Sequence, residues 1–123
     1  MAKRVLIVDD EANIVAALEY LLRRSGYEVS VAATGDEALH QVEVVAPDLV
    51  LLDVMMPQKS GYEVCRRIRE RPEFGAVKIV MLSAKGREAE VSKGMSLGAD
   101  LYVTKPFSNA ALVARIRELL GDA

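Results

Sequence analysis

A doubly wound α/β fold built on five parallel strands is what this sequence predicts, and three observations predict it. Strand-like and helix-like segments alternate five times along the 123 residues. Three of the strand segments are apolar almost throughout, whereas two alternate polar with apolar. Side chains capable of chemistry stand at or just after the ends of those segments: Asp9 and Asp10, Asp53, Ser83 and Lys105.

The first segment, "RVLIV" at 4–8, is a continuous apolar strand candidate. Residues 11–24 then put Ile14, Val15, Leu18, Leu21 and Leu22 on one helical face, with Arg23 and Arg24 in the last turn and Gly26 as the stop. "YEVSVA" at 27–32 alternates, as a strand with one solvated face does. Thr34 is placed to cap a helix carrying Ala38, Leu39, Val42 and Val45, and Pro47 ends that segment. "LVLL" at 49–52 is apolar throughout. Ser60 and Glu63 have the spacing of a capping box at the start of a helix carrying Val64 and Ile68, closed by Pro72. "VKIVML" at 77–82 is the fourth strand and "LYVT" at 101–104 the fifth, with a poorly patterned helix near 87–97 and Gly98 between them. The final helix carries Leu112, Val113, Ile116, Leu119 and Leu120, with Gly121 past its end.

Continuous apolar strands belong in the middle of a sheet covered on both faces, and alternating strands suit its edges. Strands one, three and four are therefore interior and strands two and five are edges. That agrees with the flavodoxin-like order 2-1-3-4-5, with helices on both faces and the site beyond the carboxyl ends of strands one and three. Residues 1–123 are expected to form a single domain, since no linker, repeat or low-complexity segment interrupts them.

Composition narrows the function. The chain is 51% hydrophobic and 28% charged, ordinary for a soluble globular domain. A net charge of only −2 gives no global positive field, so direct nucleic-acid binding by this domain is not expected. No apolar run approaches the length of a membrane span or a signal-peptide core, and the single cysteine, Cys65, excludes an internal disulfide. A cytoplasmic protein is the simplest expectation.

In a parallel sheet, the residues at the strand ends point into one crevice. Three carboxylates crowded there repel one another unless a cation sits among them. An all-oxygen donor set suits Mg²⁺, which takes one or two carboxylates and keeps room for water and phosphate oxygens. With Ser83 as a hydroxyl and Lys105 as a positive point charge, the set suits phosphoryl transfer, in which positioning and charge neutralisation do most of the work. Each residue alone has a duller explanation. A lone aspartate at a strand end is more often a cap or turn residue, Asp9 and Asp10 can serve as the N-terminal charges of a helix, and isolated serines and lysines are mostly turn and surface residues. Capping, however, does not require acids, a hydroxyl and a lysine along one sheet edge.

Four strings, "LIVDDE", "LVLLDVMMP" with Gly61 behind it, "IVMLSA" and "GADLYVTKPF", occurring in order over essentially the whole chain, resemble the receiver domain of two-component response regulators (the CheY-like superfamily). The resemblance implies that Asp53 takes a phosphoryl group from a phosphohistidine on a sensor histidine kinase or a histidine phosphotransfer protein, so that the domain is primarily a regulatory phospho-acceptor. It implies Mg²⁺ held by Asp10, by Asp9 directly or through water, by Asp53 and by the Met55 carbonyl. Ser83 and Lys105 would bind the phosphoryl group, the Lys105–Pro106 bond would be cis, and Ala84, Pro57 and Gly61 would shape access and the loop after the nucleophile. Met55 and Lys85 would lie near the attack path. Movement of Ser83 would let Tyr102 rotate inward, changing the face formed by helix four, strand five and helix five. Receivers of similar sequence dimerise through that face; Asp100 and Arg115 match charged positions used there, but Leu101 stands where many carry a second acid.

Rival functions fit less well. A haloacid-dehalogenase-like phosphatase would carry a second aspartate two residues after the nucleophile, where Met55 stands. An FMN-binding flavodoxin gives no reason for the acids, and a dinucleotide site needs a glycine-rich turn where this chain has "DDEAN". A receiver used only as a docking scaffold would be expected to have lost an acid or the lysine. His40 falls off the apolar face of its helix, Cys65 reads as a bland thiol, and Arg66, Arg67, Arg69 and Arg71 among Glu63, Glu70 and Glu73 read as a solvated face.

Overall fold

In the computed structural model the described residues are 3–56, 59–84 and 86–122; Pro57 and Lys85 lie outside them. The elements run β1 (Arg4–Val8), α1 (Ala12–Arg24), β2 (Glu28–Ala32), α2 (Gly35–Val45), β3 (Leu49–Asp53), α3 (Gly61–Arg69), a 3₁₀ turn (Pro72–Phe74), β4 (Lys78–Ser83), α4 (Glu88–Ser96), β5 (Leu101–Thr104) and α5 (Asn109–Leu119). All pairings are parallel, and the strand order is β2-β1-β3-β4-β5, as the strand textures predict.

The two-residue period of the strands sorts the core into two layers. Leu6, Val8, Val50, Leu52, Ile79 and Met81 face Val42 of α2 and Val64 and Ile68 of α3. Their alternates Val5, Ile7, Leu49, Leu51, Val80 and Leu82 face Leu18 and Leu22 of α1 and Leu112 and Ile116 of α5. Burial on both faces is why these three strands read as unbroken apolar runs. Among the described residues, no helix is long and apolar enough to cross a membrane.

Helix starts follow the expected chemistry with one refinement. The Thr34 hydroxyl accepts from the Glu37 amide at 3.1 Å, and the Ser60 hydroxyl accepts from the Glu63 amide at 3.3 Å. Glu63 does not complete the capping box; its carboxylate pairs with Arg66 and Arg67. Gly26 ends the turn after α1 at φ +94°, a conformation open to glycine. Pro72 does not itself close α3, which ends at Arg69; it opens the 3₁₀ turn that follows.

The arginine cluster needs a correction. Arg66, Arg67 and Arg71 lie on a solvated face paired with Glu63, Glu70, Glu43 and Glu73. Arg69 instead turns inward. It donates to the Gly98 carbonyl at 2.9 Å, the Phe74 carbonyl at 3.3 Å and the Asp100 carboxylate at 3.0 Å. Asp100 also accepts the Ile79 amide at 2.8 Å, so it serves an internal junction between α3, β4 and the turn before β5. Periodicity alone could not distinguish Arg69 from its neighbours, because its partners are backbone carbonyls distant in sequence.

Candidate functional site

The register of the sheet assembles the site. Val8 pairs with Leu52, so the next residues, Asp9 and Asp53, emerge side by side; Asp53 pairs with Leu82 and Ser83 with Thr104, which carries the same edge across to Lys105. Asp9 and Asp53 are each 2% exposed and Ser83 is fully buried, whereas Asp10 is open to solvent. Carboxylate oxygens of Asp9, Asp10 and Asp53 all lie within 4.8 Å of one another.

Local backbone fixes these acids. Asp9 accepts the Glu11 amide at 2.8 Å, and Asp53 accepts the Met55 amide at 3.2 Å. The Val54 amide donates to the Leu82 carbonyl at 2.9 Å, which prolongs the β3–β4 pairing past Asp53. Gly61 sits against this turn: a Cβ there would lie 2.4 Å from the Asp53 carbonyl oxygen and 2.8 Å from the Val54 Cα. Glycine is therefore required by close approach to backbone that has little room to move.

Lys105 reaches in from the far side. Its ammonium is 2.8 Å from a Glu11 oxygen, 3.4 Å from Asp9 and 3.6 Å from Asp53. The Lys105 amide donates to the Ser83 carbonyl at 2.8 Å, and the Lys105–Pro106 peptide bond is cis. Glu11 is the residue the sequence did not single out. It appears there only as the last letter of "LIVDDE", yet it is the nearest partner of Lys105, and as the N-cap of α1 it makes no capping bond with its side chain.

The electrostatics follow from burial and crowding. Desolvation pushes the Asp53 carboxyl up to about 6 from 3.8, with Asp9 acting in the same direction and Lys105 and the Met55 amide opposing. Burial alone would lower Lys105, but Glu11, Asp53 and Asp9 together hold it above its ordinary value. The site thus has excess negative charge and oxygen donors of three carboxylates at short range. That donor set fits a hard divalent cation such as Mg²⁺. Beside Lys105, an open groove of about 400 Å³ is lined by Glu11, Ile14, Ala84, Pro106, Phe107 and Asn109.

The remaining expected residues are more scattered. Met55 is 54% exposed above Asp53. Tyr102 is half-buried and packs against the α2–α3 side of the core, so it is not an exposed edge-strand tyrosine. Arg115 is exposed and lies 3.5 Å from Glu118. His40 is exposed, and Cys65 is fully buried with its thiol pushed up to about 11 by burial.

The fold and this edge define a doubly wound α/β domain with an acidic pocket at the carboxyl end of its sheet. The chain belongs to the family described as the response regulator receiver domain, whose sequence profile matches residues 5–117. It is 47% identical over 120 residues to the alkaline phosphatase synthesis transcriptional regulatory protein PhoP of Bacillus subtilis (strain 168), covering 98% of this chain and 49% of that protein. It is 43% identical over 123 residues to the phosphate regulon transcriptional regulatory protein PhoB of Rhizobium meliloti (strain 1021), covering 100% of this chain and 54% of that protein. The chain thus spans about half the length of both relatives. Among solved structures, the BeF3-activated receiver domain of DrrB, a Thermotoga maritima OmpR/PhoB homolog, superposes with a TM-score of 0.88 at 36% identity, covering 98% of this chain and 99% of that one. This is a receiver domain of the two-component PhoP/PhoB type, consistent with phosphorylation-based signalling. Receiver domains generally bind Mg²⁺ at an acidic pocket, and the cluster of Asp9, Asp10 and Asp53 supplies one here.

Proposed function

We propose that Asp53 is the phosphoryl acceptor of a signalling switch and takes its phosphoryl group from a phosphohistidine on a sensor histidine kinase or a histidine phosphotransfer protein. The observation that carries the reading is the convergence of three carboxylates within 4.8 Å of one another, with the ammonium of Lys105 3.6 Å from Asp53. Neither capping nor ordinary surface charge asks for that arrangement.

An Asp53 carboxylate oxygen attacks phosphorus, the bond from phosphorus to the imidazole nitrogen breaks, and the imidazole leaves with the electron pair. The product is an acyl phosphate on Asp53. Asp10, Asp9, Asp53 and the Met55 carbonyl would hold Mg²⁺, which when bound neutralises charge on the transferring group. Lys105 balances the negative charge of the phosphoryl oxygens, and the Ser83 hydroxyl offers them a hydrogen bond. Phosphorylation replaces one carboxylate charge with about two and adds oxygens that recruit such donors. The change is read at the face formed by α4, β5 and α5, where Tyr102 responds to Ser83 and where a second copy can dock. Asp100 is committed to Arg69, and Leu101 replaces an acid, so pairing there depends little on those two positions. Partners of that kind suit a cytoplasmic domain, the location this reading favours. Both relatives are named transcriptional regulatory proteins, and control of transcription is the output this likeness suggests.

Intact-mass spectrometry after incubation with acetyl phosphate tests the reading. One added phosphoryl group is expected with Mg²⁺, little or none without it, and none in Asp53→Asn. No gain under conditions that label another receiver would instead indicate a docking module with idle acids.

A further inference from the structure

The hydroxyl of Tyr62 stands where three elements meet. Tyr62 is the second residue of α3, directly after Gly61, whose amide donates to the Val54 carbonyl at 3.0 Å. Because Gly61 also abuts the Asp53 carbonyl, the start of α3 is seated on the end of β3 that carries Asp53. From this seat Tyr62 reaches α4, donating its hydroxyl to the Glu90 carbonyl at 3.2 Å. Tyr62 and Tyr102 of β5 both pack against the same layer of the core.

Two further contacts fix the geometry. The Lys93 ammonium of α4 lies 4.5 Å from the centroid of the Tyr62 ring. The Tyr102 ring packs against Gly94 so closely that a Cβ there would come within 2.9 Å of the ring and 2.8 Å of the Met81 sulfur. Little else holds α4 down, since Gly94 is its single buried residue among those described. The Tyr62 hydroxyl therefore forms the polar part of a joint whose apolar part is the Gly94–Tyr102 contact.

We propose that Tyr62 is a positioning residue whose hydroxyl ties α4 to the Asp53 end of β3, through Gly61. The joint exists in the unmodified domain, so its presence is independent of the acceptor reading. Its signalling consequence rests on that reading: a shift at the β3–α3 junction would reach α4 through Tyr62.

Hydrogen exchange of backbone amides in the unmodified protein tests this, with Tyr62→Phe and, as a reference, Tyr20→Phe. Tyr62→Phe keeps the ring and its contact with Lys93 and removes only the hydroxyl. Exchange across 88–96, referenced to amides of β3, is expected to quicken about threefold to tenfold in Tyr62→Phe, the scale of one lost hydrogen bond. Tyr20→Phe, which removes an exposed hydroxyl of α1, should leave exchange across 88–96 unchanged. Unchanged α4 exchange in Tyr62→Phe, an equal rise in β3, or an equal rise in Tyr20→Phe would each overturn the proposal. Acetyl phosphate labelling of the same proteins keeps the two readings apart: absent labelling counts against Asp53 as acceptor and leaves the exchange result standing.

Discussion

Asp53 is held in an environment that disfavours its own charge. Its carboxyl is pushed up to about 6, above its ordinary 3.8, so ionising it in the metal-free fold opposes folding. The sign is fixed: a raised acid leaves stability intact below about pH 4, erodes it between about 4 and 6, and leaves the full penalty above. Urea titrations of the metal-free protein should therefore show about 2–3 kcal/mol lost to this group between pH 4 and 7. Asp53→Asn should flatten that slope, and Mg²⁺ added at pH 7 should raise the midpoint of the wild type more than that of the variant. Gly61 makes a second residue-scale prediction. A methyl group 2.4 Å from the Asp53 carbonyl meets backbone, so Gly61→Ala should destabilise the domain by about 2–4 kcal/mol in the same titration. Asp9, Asp10, Asp53, Ser83 and Lys105 were legible as strand-end residues because a parallel sheet sends such positions to one edge. Glu11 was not, because its pairing with Lys105 spans a sequence separation of 94 that no local pattern encodes.

At the scale of elements, the junction between α3 and the turn before β5 depends on one side chain. Arg69 satisfies two backbone carbonyls and half of the demand of Asp100, all part-buried. Arg69→Met keeps an apolar stem and removes every donor, and should lower stability by about 2–4 kcal/mol in urea titration. Arg67→Met, on the solvated side of the same helix, should change it by less than about 1 kcal/mol. The elements themselves were largely readable. Apolar runs marked the interior strands, Thr34 and Ser60 marked helix starts through short-range bonds, and the irregular apolar spacing of 87–97 anticipated a helix with only Gly94 buried. What escaped notice was chemistry made between elements: the inward turn of Arg69 and the contact of Tyr62 with Glu90.

The whole molecule is a device for bringing distant residues together. Asp9, Asp53 and Lys105 are far apart in the chain, and the order β2-β1-β3-β4-β5 alone makes them neighbours. The same sheet supports α1 and α5 on one face and α2 and α3 on the other, so the site rests on two fully packed layers while α4 is lightly held. This asymmetry suits a switch, with a rigid acceptor edge and one face able to move for the 1–3 kcal/mol typical of allosteric coupling, roughly. On the proposed reading, the converging acids make Asp53 the acceptor. Borohydride reduction after acetyl phosphate treatment tests it most directly, because an acyl phosphate on aspartate is reduced to homoserine and the converted residue is then located by peptide sequencing. Homoserine at position 53, formed only when Mg²⁺ is present, is the predicted result. Conversion at Asp9 or Asp10, or no conversion at any aspartate while a known receiver is converted alongside, would contradict it.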